Sequence, residues 1–162
     1  MQYLGEIKQV ATGARSGDLI KAILKTTPVA IEQTKDFSKK LAVYKNGKIA
    51  ITATAKRIWL YLRSKIRYVQ DGPEKQKLFL PSAFTTLKRG DCKSYSLFTC
   101  SILSNLGINN GFVFTSYRLK DKPTHVFNYF VDENGREIPL DGCYNKFGIQ
   151  KKPLYIRKIK VL

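Results

Sequence analysis

The chain has 162 residues, 43% of them apolar and 12% aromatic, which is one domain's length with enough apolar material for a packed core and excludes a disordered basic tail. Its 29 Lys and Arg against 12 Asp and Glu give a net charge of +17, implying attraction to nucleic acid, an acidic protein surface or anionic lipid without choosing between them. The longest apolar run, Ile58 to Leu62, spans five residues, far short of the roughly 20 that cross a bilayer, so the expectation is a soluble, cytoplasmic protein with no membrane contact.

Taken in chain order, the first half reads helical. Ser16 and Asp18 are good N-cap types, and Leu19, Ile20, Ile23 and Leu24 follow at helical spacing until Pro28 interrupts them. A second amphipathic pattern runs from about Ala30 to Tyr44, and Asn46-Gly47 is expected to end it. A third carries Ile58, Trp59, Leu62, Ile66 and Tyr68 on one stripe, with Trp59 read as core. Asp71-Gly72-Pro73 then opens a polar loop reaching about Leu78.

The second half changes period. Cys92 to Leu106 forms a helix pattern with Gly107 as its C′ residue. Phe112 to Leu119, His125 to Val131 and Arg136 to Leu140 are strand-like runs joined by loops of hairpin length and composition. Tyr155 to Val161 alternates as an edge strand with a charged face would. Helices followed by an antiparallel sheet make an α+β fold. Residues 1–162 read as one domain, with a helical N-terminal segment over 1–50, a core over 51–142 and a C-terminal extension over 143–162.

The three cysteines, Cys92, Cys100 and Cys143, contain no CxxC pair, and His125 is the sole histidine. Neither a disulfide framework nor a common zinc pattern is suggested, and no metal or organic cofactor is expected. Cys92 stands at a helix N-terminus, where unpaired N–H groups and the helix dipole favour an anion, as a thiolate nucleophile requires. If the strands pair as hairpins, His125 at one strand start and Asp141 after the next strand's end lie side by side. A thiolate, a base to share its proton and a carboxylate to orient that base could thus converge. The blander readings are a buried inert thiol, a structural histidine and a turn carboxylate; Cys100 and Cys143 read as packing residues.

Gly90-Asp91-Cys92, Leu103 to Ile108, His125-Val126-Phe127 and Ile138-Pro139-Leu140-Asp141, together with Ile66-Arg67-Tyr68, Asp71, Pro81 and Leu87 upstream, resemble the transglutaminase-like superfamily. The pattern is most similar to its members encoded by tailed phages and prophages, with residues 50 to 142 carrying the likeness. The resemblance implies a papain-like core in which Cys92 is the nucleophile, His125 the general base and Asp141 the group orienting it. The activity it implies is thiol-dependent acyl transfer on an amide, most simply hydrolysis of a peptide or isopeptide bond in a protein or peptide substrate. The superfamily also contains inactive relatives. The alternative is therefore a non-catalytic phage structural or assembly protein that binds DNA or an acidic partner through weak, nonspecific contacts of its basic surface. Two departures stand out: Lys93-Ser94 replaces acidic residues common after the Cys, making the local field more positive, and Phe127 and Tyr129 occupy a strand that often carries Trp. Tyr68 and Asn128 are the candidates for a second oxyanion donor beyond the Cys92 N–H. Oligomeric state is open.

Overall fold

The computed structural model describes residues 7–9, 16–72 and 76–162. In chain order the elements are β1 (Ile7–Gln9), α1 (Ser16–Gln33), α2 (Lys35–Leu41), β2 (Tyr44–Lys45), β3 (Lys48–Ile49), α3 (Ile51–Lys65), β4 (Arg67–Tyr68), β5 (Lys77–Phe79), α4 (Pro81–Leu87), β6 (Arg89–Gly90), α5 (Cys92–Asn105), β7 (Asn110–Ser116), β8 (His125–Val131), β9 (Glu137–Leu140) and β10 (Tyr155–Lys160). This is the α+β arrangement expected from helices followed by a sheet.

The principal sheet has strand order β10-β7-β8-β9, antiparallel throughout. One face, carrying Phe112, Phe114, Val126, Phe130 and Leu140, packs against α5 and the helices around it in two apolar clusters. Helix α5 is buried from Lys93 to Leu103, yet it is rich in Ser and Thr. Their hydroxyls are used: Ser94 Oγ accepts from the Phe79 N–H at 3.0 Å, and Ser96 Oγ donates to the Val126 carbonyl at 2.9 Å. The second bond fixes the Cys92 helix against the strand that begins with His125. The short strand β10 lies at the sheet edge beside β7, as its alternation suggested.

Three local expectations are corrected. Pro28 does not end the first helix, which continues to Gln33. Proline inside a helix costs about 3 kcal/mol, but Ile20 and Ile23 before it and Ala30 after it all lie in the α5 cluster. Burying each large apolar side chain contributes about 1.5–3 kcal/mol, so continuity wins, and the Thr26 and Thr27 hydroxyls bond carbonyls of Ala22 and Ile23 in the preceding turn. The second helix is only Lys35–Leu41, because α1 takes the chain to Gln33 and Tyr44 enters β2; at the junction Asn105 of α5 donates to the Ile31 carbonyl at 2.7 Å and to the Thr34 hydroxyl at 2.9 Å. Asn46-Gly47 turns the β2–β3 hairpin rather than capping a helix; both residues have positive φ, 51° and 73°, as a tight hairpin turn demands.

The third helix starts at Ile51 and stops at Lys65, so Tyr68 leaves the stripe and joins β4. The polar loop expected from Asp71 passes through residues 73–75, outside the described residues, and by Lys77 the chain is already strand β5, followed by a helix, α4, that periodicity did not reveal. Parallel pairing of β4 with β6 aligns Tyr68 with Gly90, bringing the third helix's exit next to the start of α5.

Candidate active site

Cys92 is the first residue of α5. The preceding Asp91 is its N-cap, with a carboxylate that accepts the Lys93 N–H at 3.1 Å. The N–H groups of a first helical turn have no intrahelical acceptor, so that of Cys92 remains available near its own thiol. Close packing surrounds this start: a Cβ on Gly90 would lie 2.9 Å from the Phe84 ring, so a larger residue would push α4 away from the Cys92 turn.

His125 opens β8, and its Nε2 lies 2.7 Å from Asp141 Oδ2. Cys92 and the ring line one cavity, close enough for the thiol to act on the charge of the imidazole. Burial works against a charged imidazole here. The hydrogen bonds and negative charges of Asp141 and Cys92 outweigh it and push the His125 pKa up to about 10.

Asp141 follows β9 directly and is buried at 9% exposure. Its other oxygen, Oδ1, accepts the Cys143 N–H at 2.9 Å, so both carboxylate oxygens are occupied. Trp59 of α3 donates its indole N–H to the carbonyls of Asp141 and Tyr144, both at 3.1 Å. Gly142 is required by contact: a Cβ there would meet Leu62 Cδ1 at 2.5 Å. The turn carrying Asp141 is therefore gripped by α3.

The structure thus brings Cys92, His125 and Asp141 together. It separates the two suggested oxyanion donors. Asn128 is buried along β8 and its amide donates to the Gly111 carbonyl at 3.3 Å, so it belongs to the sheet interior rather than the cleft. Tyr68, 44% exposed, stays near the helix start: it pairs with Gly90 and its ring lies edge-on to Tyr95 at 5.8 Å. The positive field expected from Lys93 is also corrected. Its ammonium is buried, pairs with Asp91 and with Asp71 at 3.5 Å, and donates to Gln76 Oε1 at 2.8 Å, so its charge is neutralised locally.

The other two thiols differ from Cys92. Burial pushes Cys100 up to about 12. Burial also raises the Cys143 pKa, with the nearby charges of Asp141 and Cys92 adding to it. Among the described residues no cluster of His, Cys, Asp and Glu is arranged to hold a metal ion, and no helix is long and apolar enough to cross a membrane.

Sequence reading missed what the segment between β9 and β10 does. It passes from Asp141 to Tyr155, which pairs with Ser116 at the same end of the sheet where His125 begins β8. On the way Tyr144 and Gln150 join Tyr117, His125 and Asp141 around a cavity of about 260 Å³. A smaller cavity is lined by Cys92 together with His125. The lone tryptophan was the one available signal for Trp59; periodicity carries none for a segment crossing a sheet end.

Residues 38–142 match the family model described as the transglutaminase-like superfamily. Among solved structures, the chain is similar to a candidate cysteine protease from Cytophaga hutchinsonii, with 12% identity and a TM-score of 0.51 over 69% of this chain and 37% of that one. It is also similar to a candidate protease from Parabacteroides distasonis, with 11% identity and a TM-score of 0.54 over 86% of this chain and 29% of that one. At these identities the likeness is one of fold, and this chain spans only about a third of either neighbour's length. Among curated proteins none matches the chain significantly.

Proposed function

The chain belongs to the transglutaminase-like superfamily, and from that premise we propose that it catalyses thiol-dependent acyl transfer on an amide, in the simplest case hydrolysis of a peptide or isopeptide bond. The observation that carries this reading is the single histidine, bonded to the Asp141 carboxylate at 2.7 Å and lining one cavity with Cys92 at the start of α5. With its pKa at about 10, His125 is an imidazolium at neutral pH, bonded to Asp141 and beside Cys92.

In the proposed reaction Cys92 Sγ attacks the amide carbon. The C=O electron pair moves to oxygen, and the Cys92 N–H stabilises the oxyanion, with the Tyr68 hydroxyl as the second donor. Collapse breaks the C–N bond, and His125 gives its proton to the departing amine. Neutral His125 then takes a proton from water, whose oxygen attacks the thioester carbon. The C–S bond breaks, and the acid leaves as Cys92 returns to thiolate beside imidazolium. An amine in place of water would give transamidation. Asp141 keeps Nε2 protonated and the ring oriented, so it acts as a positioning residue.

A panel of fluorogenic peptide amides and unfolded protein substrates tests this, with the acyl-enzyme on Cys92 trapped and mapped by mass spectrometry. Turnover is expected to fall at least about a thousandfold in Cys92→Ala and His125→Ala. Equal turnover by wild type and Cys92→Ala would overturn the proposal. The net charge of +17 favours a second reading, a non-catalytic member that binds an anionic partner; it would gain from polyanion binding in the absence of any turnover.

A further inference from the structure

The two cavities flanking His125 differ in chemistry. The one against Cys92 measures about 90 Å³ and is walled by Leu19, Ile20 and Ile23 of α1 with Phe114, Pro123 and Val126 from the sheet and its loop. Of its polar neighbours, Lys93 and Gln76 are bonded to one another, the Lys93 charge is matched by Asp91 and Asp71, and His125 is bonded to Asp141; Thr124 completes the wall. The larger cavity touches His125 and Asp141 but not Cys92.

Reaction chemistry assigns the two sides. In a thioester the acyl carbon is bonded to Sγ, so the substituent nearest that carbon lies against Cys92. His125 lines both cavities, so the amine that leaves or enters, which exchanges its proton with His125, is left the Asp141 side, which Cys92 does not line. We infer that the α1 cavity receives the side chain of the acyl-donor residue and selects a small branched aliphatic group of about valine size. The inference rests on the proposed role of Cys92.

Volume and polarity set the selection. A cavity of about 90 Å³ is a small apolar recess, and an isopropyl side chain is of a size to fill it. An apolar cavity that admits benzene is nearer ~150 Å³, so a phenylalanine ring fits this one less well than an isopropyl group. A glutamate would lose water, and the cations at the wall, Lys93 and His125, already face the carboxylates of Asp91, Asp71 and Asp141. Glycine would leave the cavity empty. One methylene in an apolar pocket changes discrimination by roughly 10- to 200-fold.

The test uses the full chain and peptidyl chloromethyl ketones carrying Gly, Ala, Val, Leu, Phe or Glu next to the warhead. Sγ displaces chloride, forming a C–S bond, and the adduct on Cys92 is mapped by mass spectrometry. The Val probe is expected to inactivate roughly tenfold or more faster than Gly, Phe or Glu. Leu19 is half-buried at the cavity wall, so its substitution should spare the fold, and ratios between probes within one variant cancel any loss of folded protein. Leu19→Trp should lower the Val-to-Gly ratio, and Leu19→Ala should raise the Phe-to-Val ratio. Iodoacetamide, which needs no pocket, separates the two readings. Rapid iodoacetamide modification of Cys92 with equal rates for all six probes, or unchanged ratios in both variants, would overturn the pocket and leave the nucleophile standing. Failure of iodoacetamide and every probe to modify Cys92 would overturn both.

Discussion

The indole N–H of Trp59 donates to the Asp141 carbonyl at 3.1 Å, a bond from the third helix to the turn whose side chain holds His125. Trp59 touches neither the thiol nor the imidazole in these bonds. It positions the turn that orients the imidazole. Trp59→Phe keeps an aromatic ring but loses both bonds, so stability should fall by about 1–3 kcal/mol, read from urea unfolding midpoints. The His125 titration should also move down from about 10, followed by the NMR signal of the chain's sole imidazole. A lower midpoint with an unmoved titration would make Trp59 merely structural.

Stability should depend on pH through His125. Its folded pKa of about 10 lies above the unfolded value of about 6.5, so the folded state holds the proton more tightly. That contribution is fully present below about pH 6.5 and is lost as pH rises toward 10. Wild type should therefore lose more stability than His125→Gln between pH 6 and pH 10, with other titrating groups common to both. Parallel curves for the two proteins would contradict the imidazolium pairing.

The three thiols should react unequally with iodoacetamide in the folded state. Cys92 should be modified first, with Cys100, pushed up to about 12, and Cys143, also raised, far slower. His125→Ala should slow Cys92, and Cys100→Ser should leave its rate nearly unchanged. Peptide mapping that finds all three equally sluggish would count against nucleophilic chemistry.

Asp141→Asn should separate orientation from nucleophilicity. The amide cannot hold the Nε2 proton as the carboxylate does, so turnover should fall by roughly 10²- to 10⁴-fold. Cys92 alkylation should fall much less, because the thiol and the helix start are untouched. Equal losses in both assays would show that Asp141 acts on the thiol's charge rather than on proton transfer.

The excess of 29 basic over 12 acidic residues should give salt-sensitive retention on heparin or duplex DNA. Counterion release makes such binding weaken steeply between low and moderate salt. Retention unchanged by salt would leave the lysines as a solvated face, and strong sequence preference would favour the binding-protein reading.

The chain's local chemistry is enough to expect the helix from Cys92, the strand from His125 to Val131, the turn at Asp141 and the edge strand from Tyr155, because each has a period or a cap written in neighbouring residues. Hairpin-length loops likewise place His125 and Asp141 at one end of the sheet. What crosses the chain at long range was not legible. Pro28 reads as a stop, yet burial of Ile20, Ile23 and Ala30 against α5 outweighs its cost. Lys93 reads as a free positive charge, but Asp71, more than twenty positions earlier, helps neutralise it. Asn128 is taken up by the Gly111 carbonyl across the sheet, and Trp59 finds Asp141 from another helix. Tertiary structure decides these because the partners are distant in sequence. A buried polar group must find an acceptor or counter-charge wherever packing provides one, and packing is a property of the whole chain rather than of any window along it.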